Sequence, residues 1–431
     1  MKKQTLILAA VAAAAFPASG ALCRAGDTDT AKTVTIDECY ARARENYPAI
    51  RRKGLIELTR NYDLSNASRA NIPQVSISGK AAYQSDVTTL PFDVPGIDTP
   101  SLSRDQYQIT ADISQNIWDG GITHAQKKTV RGAAEVSALQ LETQLYEIRS
   151  RVNQMYFGIL LQKEMLAQNA TLQKDLAENV RRIEAMMENG TANRTDLDAM
   201  SVELISARQR EDEIKSSIKA YISMLGIMTG MQIDESTAFE IPESSALKLS
   251  GEVRRTELQM YGAQERLLDT RYKAASSAVK PRLSLFAQGG YGRPGLNMLD
   301  NDFSAFAIAG VRLKWDISGF YTLGNNRRKI DAQRMGIQAD RDTFLQNLSV
   351  QMSSQMQEIN KYETLLETDN RIISLRASIR RAAEKRFENG VISVTDLIRE
   401  INAEDMARQS FNAHRINLIR AVYDYKYTTN N

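Results

Sequence analysis

The chain has 431 residues, with 55 Lys and Arg against 52 Asp and Glu, a formal net charge of +3, and 42% hydrophobic residues. A near-balanced charge with no basic stripe argues against nucleic-acid binding. Two Cys and two His are too few for a zinc cluster, a disulfide framework or most histidine-based catalysis.

The first segment reads as an export signal. Met1-Lys2-Lys3 is basic, Thr5 to Phe16 is a short Ala-rich apolar run, and Pro17-Ala18-Ser19-Gly20 supplies a break with small residues. A signal peptide is expected over residues 1–25, with cleavage after Gly20 or Ala25. Leu22 before Cys23 and Gly20 three before it do not fit a lipobox, so lipidation of Cys23 is not expected. Beyond Phe16 no apolar run reaches the about 18 residues of a membrane-spanning helix, so any membrane crossing falls to strands.

The remainder is one unit written twice. Glu188-Asn189-Gly190 and Thr195-Asp196-Leu197 recur as Glu388-Asn389-Gly390 and Thr395-Asp396-Leu397, and Ala207-Arg208-Gln209 recurs as Ala407-Arg408-Gln409. The offset is 200 throughout, and nine of 22 aligned pairs are identical. Pro73-Gln74-Val75-Ser76-Ile77 matches Pro281-Arg282-Leu283-Ser284-Leu285, and Trp118-Asp119 matches Trp315-Asp316. The repeats are placed at residues 26–230 and 251–431, with a connector at 231–250.

Each repeat predicts a helix, two strands, a long helix, a turn and a return helix. The first helix is expected from Ile36 to about Ala70. Strand pairs are expected over 74–118 and 282–316. Val75, Ile77, Ala81 and Tyr83 alternate with polar neighbours, as do Tyr107, Ile109, Ala111 and Ile113. Leu283, Leu285, Ala287 and Tyr291 share a face, and so do Val311, Leu313 and Trp315. Strands of about ten residues suit a tilted bilayer crossing, with Tyr83, Tyr107, Trp118, Tyr291 and Trp315 at interface positions.

The long helices are expected over 122–188 and 324–388, with return helices over 195–229 and 395–428. Leu141, Leu145, Ile148, Val152, Met155 and Ile159 step by four and three, a coiled-coil seam. A helix of nearly 70 residues spans about 100 Å, longer than any compact domain is wide. Gly190 and Gly390 suit left-handed helix ends. Thr195 with Asp196, and Thr395 with Asp396, are expected to cap the return helices. Four strands cannot close a barrel, and open sheet edges are not tolerated in lipid, so several chains must share one wall. Both His124 and His414 read as solvated surface residues.

With the exported start, the twofold copy, the strand openings at Pro73 and Pro281, the Trp118 and Trp315 exits and the Gly-x-x-x-x-Thr-Asp-Leu tips, the chain resembles the TolC family of outer-membrane efflux proteins. The resemblance implies an α+β membrane protein. Four strands per chain would join a twelve-stranded homotrimeric barrel in outer-membrane lipid, above a long periplasmic α-helical barrel. It implies the passive duct of a tripartite system, with a periplasmic adaptor (membrane fusion protein) and an inner-membrane pump of RND or ABC type. It implies no catalysis, cofactor, metal or nucleic acid.

Carried over by position, the adaptor-facing tips are Gly190, Thr191 and Ala192 with Gly390, Val391 and Ile392. The aperture residues are Asp196, Asp396, Thr195 and Thr395. Arg399 stands where the best-known member has a second aspartate, so the charge of the aperture departs from the family pattern. No His- or Met-rich lumen tract favours metal cargo, and multidrug-type export ranks first. The competing reading is a periplasmic coiled-coil adaptor or scaffold, against which the two hairpins and two membrane-length strand pairs argue.

Overall fold

A computed structural model describes residues 33–88, 102–242 and 250–430. The signal segment with Cys23, most of the loop between the first two strands and part of the connector lie outside the described residues.

Helix α1 (Ile36–Asn46) opens on Thr35, whose hydroxyl accepts from the Glu38 amide at 3.2 Å, and carries Asp37 and Glu38 at its positive end. The single helix expected from 36 to about 70 is interrupted. Tyr47 precedes Pro48 and turns extended (φ −67°, ψ 124°), because the proline ring disfavours a helical residue before it. A short 3-10 turn at Pro48–Arg51 then leads into α2 (Arg52–Arg69).

The strands β1 (Gln74–Tyr83) and β2 (Asp105–Trp118) follow, then α3 (Ile122–Tyr146), α4 (Ile148–Glu188) and α5 (Arg194–Thr229). Glu147, between α3 and α4, keeps a right-handed helical backbone, so the two run on as one nearly continuous rod. The second repeat is α6 (Thr256–Ala278), β3 (Arg282–Arg293), β4 (Ser304–Lys314), α7 (Gly319–Glu388) and α8 (Val394–Thr429). Helix α7 is 70 residues long, about 105 Å at the standard rise, and begins at Gly319 rather than 324.

Half-length helices line the long ones. Return helix α5 packs along α4, and α8 packs along α7. At the strand end, α2 and α6 flank α3, and α6 also touches α7. Contact between α4 and α8 joins the two hairpins side by side.

Four apolar clusters among the described residues hold this frame, and two of them are large. In the first, Tyr156, Phe157 and Ile159 of α4 meet Cys39 of α1, Leu225 of α5 and Ile416 of α8, all at most 1% exposed. Each such side chain contributes about 1.5–3 kcal/mol by leaving water. The Tyr156 hydroxyl lies 2.9 Å from the Val34 carbonyl and 2.8 Å from that of Glu240. The Val34 amide donates to the Ala238 carbonyl at 2.9 Å, so the connector is strapped to the start of α1. Burial pushes the Cys39 thiol up to about 12, which leaves it unreactive. The second cluster lies toward the tips, where Leu176 and Ile183 of α4, Met200 of α5, Phe387 of α7 and Leu397 and Ile401 of α8 pack together.

The four strands form one antiparallel sheet in the order β1-β2-β3-β4, so the β2–β3 ladder welds the two repeats. Gly120 and Gly121, at φ +70° and +90°, turn β2 into α3. A Cβ on Gly120 would stand 2.8 Å from the Lys280 Cβ, because this corner passes against the corresponding corner before β3.

Candidate functional site

The sheet has two chemically different faces. The register sets Val75 beside Ile113, Ile113 beside Ala287, Leu285 beside Val311 and Leu283 beside Leu313. This odd-numbered face is apolar and open: Ile77 is 77% exposed, Leu313 68% and Val311 63%. The even-numbered face carries Gln74, Ser76, Ser78 and Lys80 on β1 beside Gln108, Thr110, Asp112 and Ser114 on β2.

Even positions are also the more covered ones, down to Thr110 at 7%. Side chains crowd on the inside of a curve and spread on its outside. The sheet is therefore a bent stave with a polar concave face and an apolar convex face, as a membrane barrel wall requires.

The five aromatic residues expected at the bilayer interface lie on the apolar face or at its edge. Tyr83, Tyr107 and Tyr291 sit toward the loop end, and Trp118 and Trp315 toward the helical end, all exposed. The Trp315 indole donates to the Val279 carbonyl at 3.1 Å and fixes that end against the close of α6. At the loop end Arg293 pairs with Asp105. No described helix is long and apolar enough to cross a membrane.

At the far end, the hairpin tips share one construction. Gly190 and Gly390 are left-handed at φ +72° and +65°. The Gly190 amide donates to the Met187 carbonyl at 3.0 Å and the Thr191 amide to that of Met186 at 2.9 Å. Gly390 and Val391 repeat this with Phe387 and Arg386, at 2.9 and 2.8 Å. These are Schellman ends.

The caps differ from the expectation. Thr195, Asp196, Thr395 and Asp396 lie inside the return helices, and the N-caps are Asn193 and Ser393. Asn193 Oδ1 accepts from the Asp196 amide at 2.9 Å, and Asp196 Oδ2 accepts from the Asn193 amide at 3.1 Å. Ser393 and Asp396 form the same box. A cap must stand three residues before the amide that it receives, so the signal was Asn/Ser-x-x-Asp rather than Thr-Asp. Thr191 and Val391 are exposed, while Ala192 and Ile392 turn partly inward onto the hairpins' shared apolar cluster.

Both carboxylate oxygens of Asp396 are engaged within the chain. Oδ2 receives the Ser393 hydroxyl at 2.8 Å, and Oδ1 lies 3.0 Å from Arg399 Nη2. The Ser393 hydrogen bonds first, and Arg399 after them, hold this carboxyl below the usual aspartate range.

Charged ties that sequence reasoning missed bind the two hairpins to each other. Arg380 of α7 reaches Asp175 of α4 at 3.1 Å and Glu404 of α8 at 2.7 Å, with the Glu404 side chain only 6% exposed. Arg182 of α4 meets Glu388 of α7 at 3.1 Å, and Arg415 of α8 meets Glu164 of α4 at 2.8 Å. Asp405 of α8, 5% exposed, accepts from Gln168 of α4 at 3.1 Å. Burial pushes its carboxyl up despite that bond and Arg210 nearby. The packed state thus holds this proton more tightly than the unfolded chain, and a fall in pH through that raised range favours packing. His414 is not simply solvated: its Nδ1 stands 2.7 Å from the buried Asp369 carboxylate and ties α8 to α7. His124 is exposed.

The chain thus pairs a curved amphipathic four-stranded stave with two long helical hairpins. The family described as outer membrane efflux protein matches residues 39–221, which span most of the first repeat. Among solved structures the chain is similar to CusC, studied for transmembrane channel formation, with TM-score 0.69, 13% identity and 91% of each chain covered. It is similar to the Campylobacter jejuni outer membrane channel CmeC, with TM-score 0.64, 15% identity and 91% of this chain over 85% of that one. It is also similar to the outer membrane protein VceC from Vibrio cholerae, with TM-score 0.65, 11% identity and 91% over 94%. No curated protein matches the chain by sequence. The chain has the fold of these TolC-like outer-membrane channels, and most of its first repeat matches the outer membrane efflux protein family. Among the described residues no three His, Cys, Asp or Glu side chains converge on a metal site.

Proposed function

We propose that three copies of the chain close one twelve-stranded barrel and act as the passive exit duct of a tripartite pump. Opening would come from a periplasmic adaptor and an inner-membrane transporter. The observation that carries the reading is the stave itself. Its convex face is apolar, and among the described residues its edge strands β1 and β4 have no further sheet partner. Unpaired strand edges are too costly in hydrocarbon to persist, so neighbouring copies must pair with them. Eight strands leave room only for side chains, whereas twelve enclose a conduit. Native mass spectrometry of the detergent-extracted protein tests this: three chains are expected, and a stable monomer or dimer overturns it.

The tips are the adaptor-facing surface in this reading. Exposed Gly190, Thr191, Gly390 and Val391 present two similar turns per chain. Cargo of the multidrug type agrees with a duct that performs no chemistry. The aperture is lined by Asp196 and Asp396 just inside the tips, with Thr195 and Thr395 beside them, and Arg399 offsets the Asp396 charge. Arg399→Ala is therefore expected to increase block of the single-channel current by multivalent cations. Unchanged cation sensitivity would place Asp396 away from the conducting path.

The adaptor-or-scaffold reading loses its footing on the sheet. A stave with an exposed apolar face has no use in a protein bathed by water on all sides.

A further inference from the structure

We propose that the concave face of the sheet is a weak binding surface for aromatic organic anions passing through the barrel. The inference rests on the reading that the stave closes around a lumen. It goes beyond that reading by assigning a site and a ligand class.

Charge is the first observation. Within the strands the concave face carries four cations, Lys80, Arg282, Arg312 and Lys314, against one carboxylate, Asp112. Asp112 is occupied by Gln288 Nε2 at 2.7 Å and the Thr110 hydroxyl at 3.2 Å. Among the described residues no carboxylate lies within ion-pair distance of the four cations. Asp316, just past β4, is the acid that Lys314 and Arg282 act upon. Its carboxyl is held low mainly by Ser318 and only secondarily by those cations. Several cations that share a narrow wall with little counter-charge raise the local concentration of anions.

The second observation is aromatic and independent of the first. Phe286 and Phe306 project from β3 and β4 onto this largely polar face, each opposite a glycine: Phe286 faces Gly310 and Phe306 faces Gly290. A Cβ on Gly290 would lie 2.4 Å from Phe306 Cζ, and one on Gly310 would lie 3.1 Å from Phe286 Cε1. The ring tips therefore lie against bare backbone, and both rings stay part-exposed on this face. Ile308 stands between them at 37% exposure. The Arg312 guanidinium carbon is 4.6 Å from the Phe286 ring centroid.

Aromatic cover of strand glycines accounts for where the rings sit, but not for the unpaired cations beside them. The combination fits one ligand class. A flat aromatic body stacks on Phe306 or Phe286 and slides over Ile308, while its anionic group meets Arg312. Neutral aromatics lack the second contact, and organic cations are repelled by the wall. Weak binding is what transit demands, since a ligand must leave as readily as it arrives.

The test is single-channel recording of the purified protein in planar bilayers, with naphthalene-2-sulfonate added on the loop side. Block of the wild-type current is expected. Phe286→Leu with Phe306→Leu keeps bulk over both glycines, and is expected to weaken block about tenfold through lost stacking. Arg312→Gln is expected to weaken block and to move the reversal potential in a salt gradient toward cations. Methanesulfonate, which has the charge without the ring, is expected not to block. A conducting channel that ignores naphthalene-2-sulfonate, or is blocked equally in wild type and the double leucine variant, overturns the proposal alone. A protein that forms no conducting channel overturns the channel reading and this proposal with it.

Discussion

Ile77→Arg should abolish accumulation of the protein in the outer membrane, while Ser76→Arg one residue away should leave assembly intact. Ile77 projects from β1 on the convex face and is 77% exposed; Ser76 projects from the concave face, where its register partner is Asp112. An arginine facing lipid near mid-bilayer costs about 2–4 kcal/mol per copy, and every copy in the barrel bears it. The same side chain on the concave face meets water and an acidic neighbour. Density-gradient fractionation with detection of the heat-resistant oligomer measures both. Equal assembly of the two variants would mean that the apolar face does not meet lipid.

Arg380→Ala should shift the helical end toward an open state and raise single-channel conductance several-fold. Arg380 is the node at which three helices meet, touching Asp175 of α4, Glu384 of its own helix and Glu404 of α8. Its removal leaves the nearly buried Glu404 with Arg408 alone, at 2.6 Å. The tie that Arg380 makes between the hairpins, to the part-exposed Asp175, is worth about 1 kcal/mol, which corresponds to a shift of roughly fivefold in the ratio of tied to untied hairpins. The apolar cluster of Leu176, Met200, Leu397 and Ile401 remains, so the hairpins should loosen without unfolding. Unchanged conductance, with far-ultraviolet dichroism intact, would show that the hairpins do not separate along this contact.

Much of the architecture was legible because its signals are local or repeated. Alternation at Val75-Ile77 and Val311-Leu313 gives the strands and their faces. The 200-residue offset of Gly190 and Gly390 gives the duplicate hairpins. What escaped depends on relations that no window contains. Arg380 and Asp175 are 205 positions apart, and charged residues on a helix surface look alike until the neighbouring helix selects among them. His414 looked solvated for the same reason, since Asp369 comes to it from an antiparallel helix. Pro48 and the caps at Asn193 and Ser393 are a different kind of miss. Their signals are local: a proline that turns Tyr47 extended, and an Asn or Ser three residues before Asp196 and Asp396, beside the more conspicuous Thr-Asp pair. The paired rings and glycines on β3 and β4 needed the strand register, which alternation alone does not set.

The weld between β2 and β3 has a consequence for how such a wall is made. By fastening its two halves at the centre, each polypeptide leaves both margins of its sheet raw and facing outward. Among the described residues nothing pairs with either margin, so in the proposed barrel every joint between molecules would be of a single kind, the last strand of one against the first strand of the next. Assembly on those terms should accelerate steeply with the local density of newly exported chains. A stray copy in the periplasm is then a hazard until its siblings arrive.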